Sequence, residues 1–166
     1  MTISFPRVEG QVPIYYNYKK SGRPGDMLHS STTRHIDVPN APLYPFGYGL
    51  SYTKFRYKSK GVNVEQDTVK VSFEVSNTGK YDGDEVTQVY VKYPETGTYM
   101  PLKQLHGFKR VHIKKGKTSK VTIGVPKKDL RYWDEQERKF VTPKGEYTFM
   151  VGASSDDIKF RETVGL

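Results

Sequence analysis

The chain has 166 residues and a formal net charge of +9, with 27 Lys and Arg against 18 Asp and Glu. Cysteine is absent, which excludes disulfides, thiolate zinc sites and cysteine nucleophiles. Only 35% of the residues are hydrophobic, yet there are 13 Tyr, 8 Phe, 15 Gly and 10 Pro, a composition that favours a modest β-sheet core with many turns over a helical bundle.

The first 50 residues predict an extended arm rather than a folded domain. Residues 1–7 lack the basic and apolar regions of a signal peptide, so Met1 is interpreted as an added start or as an internal residue of a longer protein. A short strand is predicted over residues 11–16, and the Gly and Pro of residues 20–26 predict a break. Six of the ten prolines lie in this arm: Pro6, Pro13, Pro24, Pro39, Pro42 and Pro45.

From Tyr52 onward the hydrophobic pattern has a period of two, which is typical of half-buried strands. The clearest strand alternates four apolar residues with polar ones, after Phe55 and Tyr57 have opened the pattern. Those four residues are Val69, Val71, Phe73 and Val75. Asn77 and Gly79 then predict a turn, since both residue types tolerate positive φ.

The remaining strands complete a predicted sandwich. Residues 85–93 carry apolar side chains on both faces, which indicates a partly covered central strand. Further strands are predicted in residues 102–113, 121–125, 147–151 and 158–163, and residues 130–133 predict a single helical turn. About seven short strands without a long helix predict an all-β immunoglobulin-like sandwich.

Residues 41–53 hold four aromatic side chains in a Pro- and Gly-rich segment, namely Tyr44, Phe46, Tyr48 and Tyr52. Proline and glycine spacing enforces an extended, turning backbone, whereas the aromatic rings offer large surfaces to bury. A free linker would not carry so many aromatic residues. We therefore expect this segment, called the junction below, to pack against another surface.

The junction and several other motifs resemble the fibronectin type III-like end of glycoside hydrolase family 3 β-glucosidases of the bacterial periplasmic type. Residues 43–55 (LYPFGYGLSYTKF) resemble the entry into that domain. Residues 4–7 and 10–17 are similar to the end of the preceding α/β-sandwich domain, and residues 21–24 and 34–37 to the connecting arm. The downstream matches, in the family's order, are residues 75–79 (VSNTG), 83–91 (GDEVTQVYV) and 101–108 (PLKQLHGF).

The resemblance implies a domain division and a role. Residues 1–50 would be the tail of the α/β-sandwich domain plus a linker arm, and residues 51–166 the fibronectin type III-like domain. In this family the nucleophilic Asp and the acid/base Glu belong to upstream segments that this chain does not contain. The chain alone is therefore expected to be non-catalytic, and its parent to be a periplasmic or secreted enzyme that hydrolyses O-glycosidic bonds.

The resemblance also implies partners. The catalytic domains of the parent glycosidase would be stabilised by this domain, which would also shape the active-site entrance. Tyr44, Phe46, Tyr48 and Tyr52 are the predicted interdomain packing residues. If they remain exposed in the isolated chain, homo-oligomers through the arm are expected.

A second hypothesis is a carbohydrate- or polyanion-binding module. Tyr132 and Trp133 are the candidates for stacking on a sugar ring, although a lone Trp in a sandwich is more often packed. Seven basic residues lie in one hairpin-like region and are the candidates for binding a polyanion: Lys109, Arg110, His112, Lys114, Lys115, Lys117 and Lys120. Lysines on outward strand positions more often solubilise a sheet, and no nucleic-acid-binding signature accompanies them.

Metal and cofactor chemistry is not predicted. The four histidines, His29, His35, His106 and His112, are widely spaced and form no ligand motif. The acidic groups at residues 82–85 and 134–137 are interpreted as solvated loop charges. No run approaches the roughly 20 apolar residues of a membrane-spanning helix, so neither a membrane nor a cofactor is expected as a partner.

Overall fold

The computed structural model describes residues 1–19, 35, 37–95 and 100–166. In these residues the chain forms nine antiparallel strands and two short 3₁₀ helices, Glu9–Gln11 and Lys127–Leu130. The strands are β1 (Phe55–Val64), β2 (Thr68–Asn77), β3 (Gly83–Lys92), β4 (Gln104–Ile113), β5 (Thr118–Pro126), β6 (Tyr132–Asp134), β7 (Lys139–Val141), β8 (Glu146–Gly152) and β9 (Ile158–Gly165).

Two sheets face each other as a sandwich. One sheet has the order β1-β2-β5 and the other β4-β3-β8-β9, whereas β6 and β7 form a separate two-stranded hairpin. The all-β sandwich prediction is confirmed. There are nine strands rather than about seven, because seven strands build the two sheets and the small hairpin adds two more.

The core lies between the sheets and follows the alternation of the sequence. Val71 of β2 lies opposite Ile123 of β5, and Phe73 lies opposite Val121, so both strands direct the same face inward. Phe149 of β8 contributes from the other sheet. Burial of alternate side chains is the main favourable term in a sandwich of this kind.

The predicted turn after β2 forms, but it is held by side-chain hydrogen bonds and not by a residue with positive φ. Asn77 and Gly79 are not among the residues with positive φ. Instead the buried Asn77 side chain accepts a hydrogen bond from Thr53 Oγ1 at 2.6 Å and donates to the carbonyl oxygens of Tyr81 and Ile113 at 2.8 and 2.9 Å. A satisfied buried amide of this type fixes the start of β1 against the ends of β2 and β4.

Two local predictions are wrong. Residues 11–16 do not form a strand: Gln11 ends a 3₁₀ helix, and Tyr16 is used for side-chain packing described below. The helical turn predicted at residues 130–133 comes earlier, at Lys127–Leu130, because Leu130 is buried in the core and Tyr132 then pairs with Val141. The predicted break at residues 20–26, the arm motifs at 21–24 and at Arg34 and Ile36, and His29 lie outside the described residues.

Candidate interdomain surface and aromatic hairpin

The arm packs on the outer face of the four-stranded sheet. Gln88 and Tyr90 of β3 point away from the core, yet Tyr90 has 0% of its surface exposed. The Tyr16 ring meets Tyr90 edge-on, with centroids 5.7 Å apart, and stacks on Phe46 at 4.3 Å. The prediction of a partly covered central strand is therefore confirmed, and the arm is what covers it.

Gln88 connects the arm to the sheet by hydrogen bonds. Its Nε2 donates to the Gly47 carbonyl oxygen at 3.1 Å and to that of Ala153 at 2.7 Å, while its Oε1 accepts from the Tyr90 hydroxyl at 2.6 Å. Gly47 has a φ of 82°, and a Cβ at this position would collide with the Gln88 side chain. Only glycine allows this turn and this approach together.

Two further backbone contacts fix the arm at either side of Gln88. The Ser155 amide donates to the Phe46 carbonyl oxygen at 2.8 Å, and the Leu105 amide donates to the Tyr16 hydroxyl at 3.1 Å. Burial raises the pKa of the Tyr90 hydroxyl well above its usual range. The contact between the arm and the sheet is therefore buried, its polar groups are paired by hydrogen bonds, and it is suited to holding the arm in place.

The two described parts of the arm are also held to each other. The Phe5 amide donates to the Tyr44 carbonyl oxygen at 2.7 Å, and their rings meet edge-on at 6.4 Å. Gln11 accepts from the Arg7 amide at 2.6 Å and donates to the Pro39 carbonyl oxygen at 2.7 Å. The start of the chain and the junction thus form one layer.

The structure separates the four predicted interdomain residues. Phe46 is half-buried inside the chain, and Tyr44 and Tyr48 contact each other with centroids 5.0 Å apart. Tyr52 is 96% exposed and the neighbouring Leu50 is 89% exposed. Within the described residues, the junction therefore has an inward part around Phe46 and an outward part formed by Leu50 and Tyr52.

Several outward apolar side chains were missed by the sequence reasoning, among them Leu50, Val86 and Phe108. Phe108 of β4 lies opposite Gln88 and is 70% exposed, beside the arm. A bulge in β4 obscured the pattern: Tyr90 pairs with Leu105 whereas Val89 pairs with Gly107, so Leu105 and Phe108 lie on the same outward face although they are three residues apart. The extra residue changes which side chains point outward, and simple alternation does not reveal such a shift.

The two predicted sugar-stacking residues point to opposite faces of the hairpin. Trp133 of β6 lies directly opposite Phe140 of β7, with ring centroids 5.3 Å apart and an interplanar angle of 73°. These rings are 50% and 61% exposed. Tyr132 is half-buried and lies opposite Val141. The exposed aromatic pair is therefore Trp133 with Phe140, and Phe140 was not among the sequence candidates.

The acidic candidates are engaged in local structure. Asp84 accepts hydrogen bonds from Arg110 and His112, and the bond from Arg110 is the largest of the effects that lower the pKa of this carboxyl group. Glu85 is partly buried and accepts from the Tyr57 hydroxyl at 2.6 Å, and burial raises its pKa. Asp134 accepts from the amides of the next turn.

Neither a metal site nor a membrane-spanning helix is found in the part of the chain that the structure describes. No three His, Asp or Glu residues there come together in an arrangement that could hold a metal ion. None of the described helices is long and apolar enough to cross a membrane. The candidates that remain are the junction, the aromatic hairpin and the basic surfaces.

The basic candidates are spread over two surfaces. Lys109 and Arg110 lie on β4 at the edge of the four-stranded sheet, whereas Lys120 lies on the outer face of the three-stranded sheet. On that second face Lys120 and Lys58 both lie opposite Glu74. The seven residues therefore do not form a single strip.

Comparison with known proteins identifies the domain. Residues 85–155 match the family model of the fibronectin type III-like domain. The chain carries a fibronectin type III-like domain. The fibronectin type III-like match covers β3 to β8, the strands that hold the junction, and leaves the arm outside.

Relatives match nearly the whole chain, including the arm. It is 36% identical over 165 residues to a periplasmic β-glucosidase of Salmonella typhimurium and 42% identical over 167 residues to a β-xylosidase of Formosa agariphila, with 96% of this chain covered in each case. The chain spans only 21% and 22% of the length of these relatives.

Solved structures agree with the sequence relatives. The crystal structure of a β-glucosidase from Listeria innocua in complex with glucose superposes with a TM-score of 0.90 and 30% identity, covering 99% of this chain and 23% of that one. β-Glucosidase 3B from Thermotoga neapolitana gives a TM-score of 0.72 at 36% identity over 76% of this chain. The resemblance to glycoside hydrolase family 3 β-glucosidases is confirmed.

Proposed function

We propose that this chain is a non-catalytic accessory region of a longer family 3 glycosidase, which it stabilises by packing against the catalytic domains. The observation that carries the proposal is the outward part of the junction, where Leu50 and Tyr52 present large apolar side chains to solvent. The similarity to enzymes about five times as long supports it, because a surface exposed here would be covered there.

The junction is suited to be an interface because its backbone is fixed on both sides of the exposed residues. Gly47 is held by Gln88, and Thr53 is held by Asn77. Leu50 lies between these anchors, so little conformational entropy remains to be lost when a partner covers it. Full burial of one such side chain contributes about 1.5–3 kcal/mol.

The proposed division places residues 1–50 with the preceding domain and residues 51–166 in the fibronectin type III-like domain. The first strand of the sandwich begins at Phe55, just after the proposed boundary, which supports this division. Packing of the arm on Gln88 and Tyr90 then fixes the orientation of the sandwich relative to the catalytic domains. Through that orientation the domain would shape the active-site entrance.

The enzymatic role belongs to the longer parent protein and not to this chain by itself. Glycoside hydrolysis needs two carboxyl groups placed across the scissile bond. Asp84 and Glu85 are instead engaged by neighbouring side chains. The parent would hydrolyse β-linked glycosides, and the similarity to a periplasmic β-glucosidase supports a periplasmic or secreted location.

The test compares one double substitution in two proteins: the isolated 166-residue chain and the longer protein in which it occurs. Leu50→Asp combined with Tyr52→Asp should leave the melting temperature of the isolated chain within a few degrees, since both side chains are already in water. In the longer protein the pair should lower the melting temperature of the catalytic domains and the residual activity after heating.

Phe140→Asp is the matched control, because Phe140 is also an exposed aromatic residue but lies on the hairpin. It should leave the longer protein unchanged in melting temperature. Equal effects of the two changes on the longer protein would contradict the proposed interface. Turnover of an aryl β-glucoside by the rigorously purified 166-residue chain would contradict the non-catalytic role.

Homo-oligomers through the arm are the alternative use of the same surface. Sedimentation of the isolated chain distinguishes the two uses. A stable dimer that Tyr52→Asp converts to a monomer would assign Leu50 and Tyr52 to self-association instead of interdomain packing. Interdomain packing without self-association predicts a monomer.

A further inference from the structure

The hairpin formed by β6 and β7 presents an aromatic corner that the interdomain proposal does not use. Its strands have three residues each and pair only with each other among the described strands. Such a short hairpin is not stable by itself in water. Leu130, buried in the core, attaches it to the sandwich, and Trp133 and Phe140 point away into solvent.

Trp133 and Phe140 form a corner, and the polar side chain of Arg131 lies beside it. The rings are inclined at 73°, so one ring offers a flat face while the other flanks it. The Arg131 guanidinium lies 5.9 Å from the Phe140 centroid, and its Nε donates to the Lys128 carbonyl oxygen at 2.7 Å. That bond fixes the guanidinium and leaves its two NH₂ groups available as donors.

We propose that this corner binds a single pyranose ring of a neutral glycan. A pyranose has an apolar C–H face that packs on an aromatic ring and hydroxyl groups around its edge that accept hydrogen bonds. The Trp133 face supplies the first contact and Arg131 supplies the donors. Apolar contact area with a few fixed polar groups is the general design of small-ligand sites.

The size of the corner favours a sugar over a protein partner. Two exposed rings provide a patch far smaller than the roughly 800 Å² that each partner buries in a stable protein interface. The hairpin also lies at the opposite end of the sandwich from Tyr52, because it follows the end of β5 while Tyr52 precedes the start of β1. Covering the junction would therefore leave the corner open.

The charge around the corner favours a neutral glycan over an acidic one. Three cations, Arg131, Arg138 and Lys139, and three carboxylates, Asp134, Glu135 and Glu137, occupy the hairpin. Lys139 is paired with Glu137 at 2.6 Å. An acidic polysaccharide would meet equal numbers of both signs and gain no net attraction.

The test uses Trp133 as its own reporter, since it is the one Trp of the chain. The purified 166-residue chain is titrated with laminarin, mixed-linkage β-glucan and xylan, and its tryptophan fluorescence is recorded. At least one of these neutral glycans should change the fluorescence saturably, with the midpoint unchanged between low and moderate salt. Gels containing the same glycan should retard the chain, and a gel containing the acidic polysaccharide polygalacturonate should not.

The variants separate the corner from the remaining surface. Trp133→Ala should abolish retardation or weaken binding at least about tenfold, since it removes the main contact area. Trp133→Tyr should restore part of it, and Phe140→Ala should weaken it less. Phe108→Ala, an exposed aromatic residue on β4, is the matched control and should leave binding unchanged.

Three outcomes would overturn the proposal. The first is no saturable signal and no retardation with any of the three glycans. The second is retardation by a neutral glycan that Trp133→Ala leaves intact while circular dichroism shows a folded chain. The third is retardation only by polygalacturonate, lost at moderate salt, which would assign binding to the lysine-rich surfaces. None of these outcomes bears on the interface at Leu50 and Tyr52.

Discussion

The strands of both sheets alternate inward and outward side chains, but one outer face of the sandwich is in water and the other is covered. On the three-stranded sheet the outward side chains are polar and in water, and Ser72 and Ser76 form hydroxyl pairs with Thr122 and Thr118 at 3.1 and 2.7 Å. On the four-stranded sheet the outward Tyr90 and Met150 are buried. The arm makes the difference, because it lies on one face and not on the other.

This difference shows that an outward strand position has no fixed energetic role. Lys70 and Tyr90 are both outward residues of a central strand. Lys70 is solvated, whereas Tyr90 belongs to a second, smaller packed layer between the sheet and the arm. The following predictions test whether that layer behaves as core.

The largest expected effect is that of Tyr90→Ala. This change removes a ring with no exposed surface and the donor of the hydrogen bond to Gln88, so we expect the free energy of unfolding to fall by about 3–5 kcal/mol. Tyr52→Ala removes the same side chain from an exposed position and should cost under about 0.5 kcal/mol. Urea denaturation of both variants measures the contrast. Similar losses for the two would show that the layer does not act as core.

Gly47→Ala tests the contact between the arm and the sheet, and its expected effect on the free energy of unfolding is smaller than that of Tyr90→Ala. Positive φ and the collision with Gln88 should together lower the free energy of unfolding by about 1–3 kcal/mol. Gly61 in β1 also has positive φ, 95°, but a Cβ there would meet nothing within 4 Å. Gly61→Ala therefore isolates the backbone strain, and the excess cost of Gly47→Ala measures crowding at the junction. No excess would remove Gly47 from the docking contact.

A pH titration tests the seam where β4 meets the three-stranded sheet. Burial lowers the pKa of His106, whose Nε2 lies 2.8 Å from the Tyr93 hydroxyl, and Asp129 opposes the shift. The unfolded chain binds a proton on His106 more readily than the folded chain does. The contribution of His106 to stability is therefore present above about pH 6.5 and is lost as pH falls. For one proton, the free energy of unfolding cannot change by more than about 1.4 kcal/mol per pH unit. His106→Gln should flatten the profile between pH 7 and pH 5, and an unchanged slope would contradict this origin.

The smallest effect is expected on the solvated face. Lys60→Gln removes an ion pair with Glu74 at 3.1 Å between side chains that water reaches. We expect a change in the free energy of unfolding under about 0.5 kcal/mol, which disappears in 1 M salt. Thermal melts at low and high salt measure it. A loss above about 1 kcal/mol that persists in salt would show that this face is also packed.

The sequence predicted the sandwich well where one side of a strand is core and the other is water. Val69, Val71, Phe73 and Val75 alternate strictly, and all four are buried. Prediction failed for the arm, which adds a further layer on the outer face of the four-stranded sheet. The apolar run at residues 11–16 was interpreted as a strand, because the sequence does not reveal that Tyr16 packs on a sheet formed much later in the chain.

The candidate site was predictable only as a set of residue types. The four junction aromatics were selected from the sequence as residues with surface to bury, but their division into Phe46 inside and Tyr52 outside depends on the turn at Gly47. At the hairpin, Tyr132 and Trp133 are adjacent in sequence and so cannot share a strand face. The partner of Trp133 comes from across a turn whose register was not evident from the sequence.

The contacts of Phe46 and Gly47 also set an order of events during synthesis. The arm leaves the ribosome first, but its partners Gln88, Ala153 and Ser155 are translated as many as about a hundred residues later. The contacts with Ala153 and Ser155 can therefore form only after β8 has been translated. A nascent chain with an unfinished or misregistered sandwich would keep Tyr16 and Phe46 exposed, and such exposed aromatic surface is what chaperones and proteases recognise.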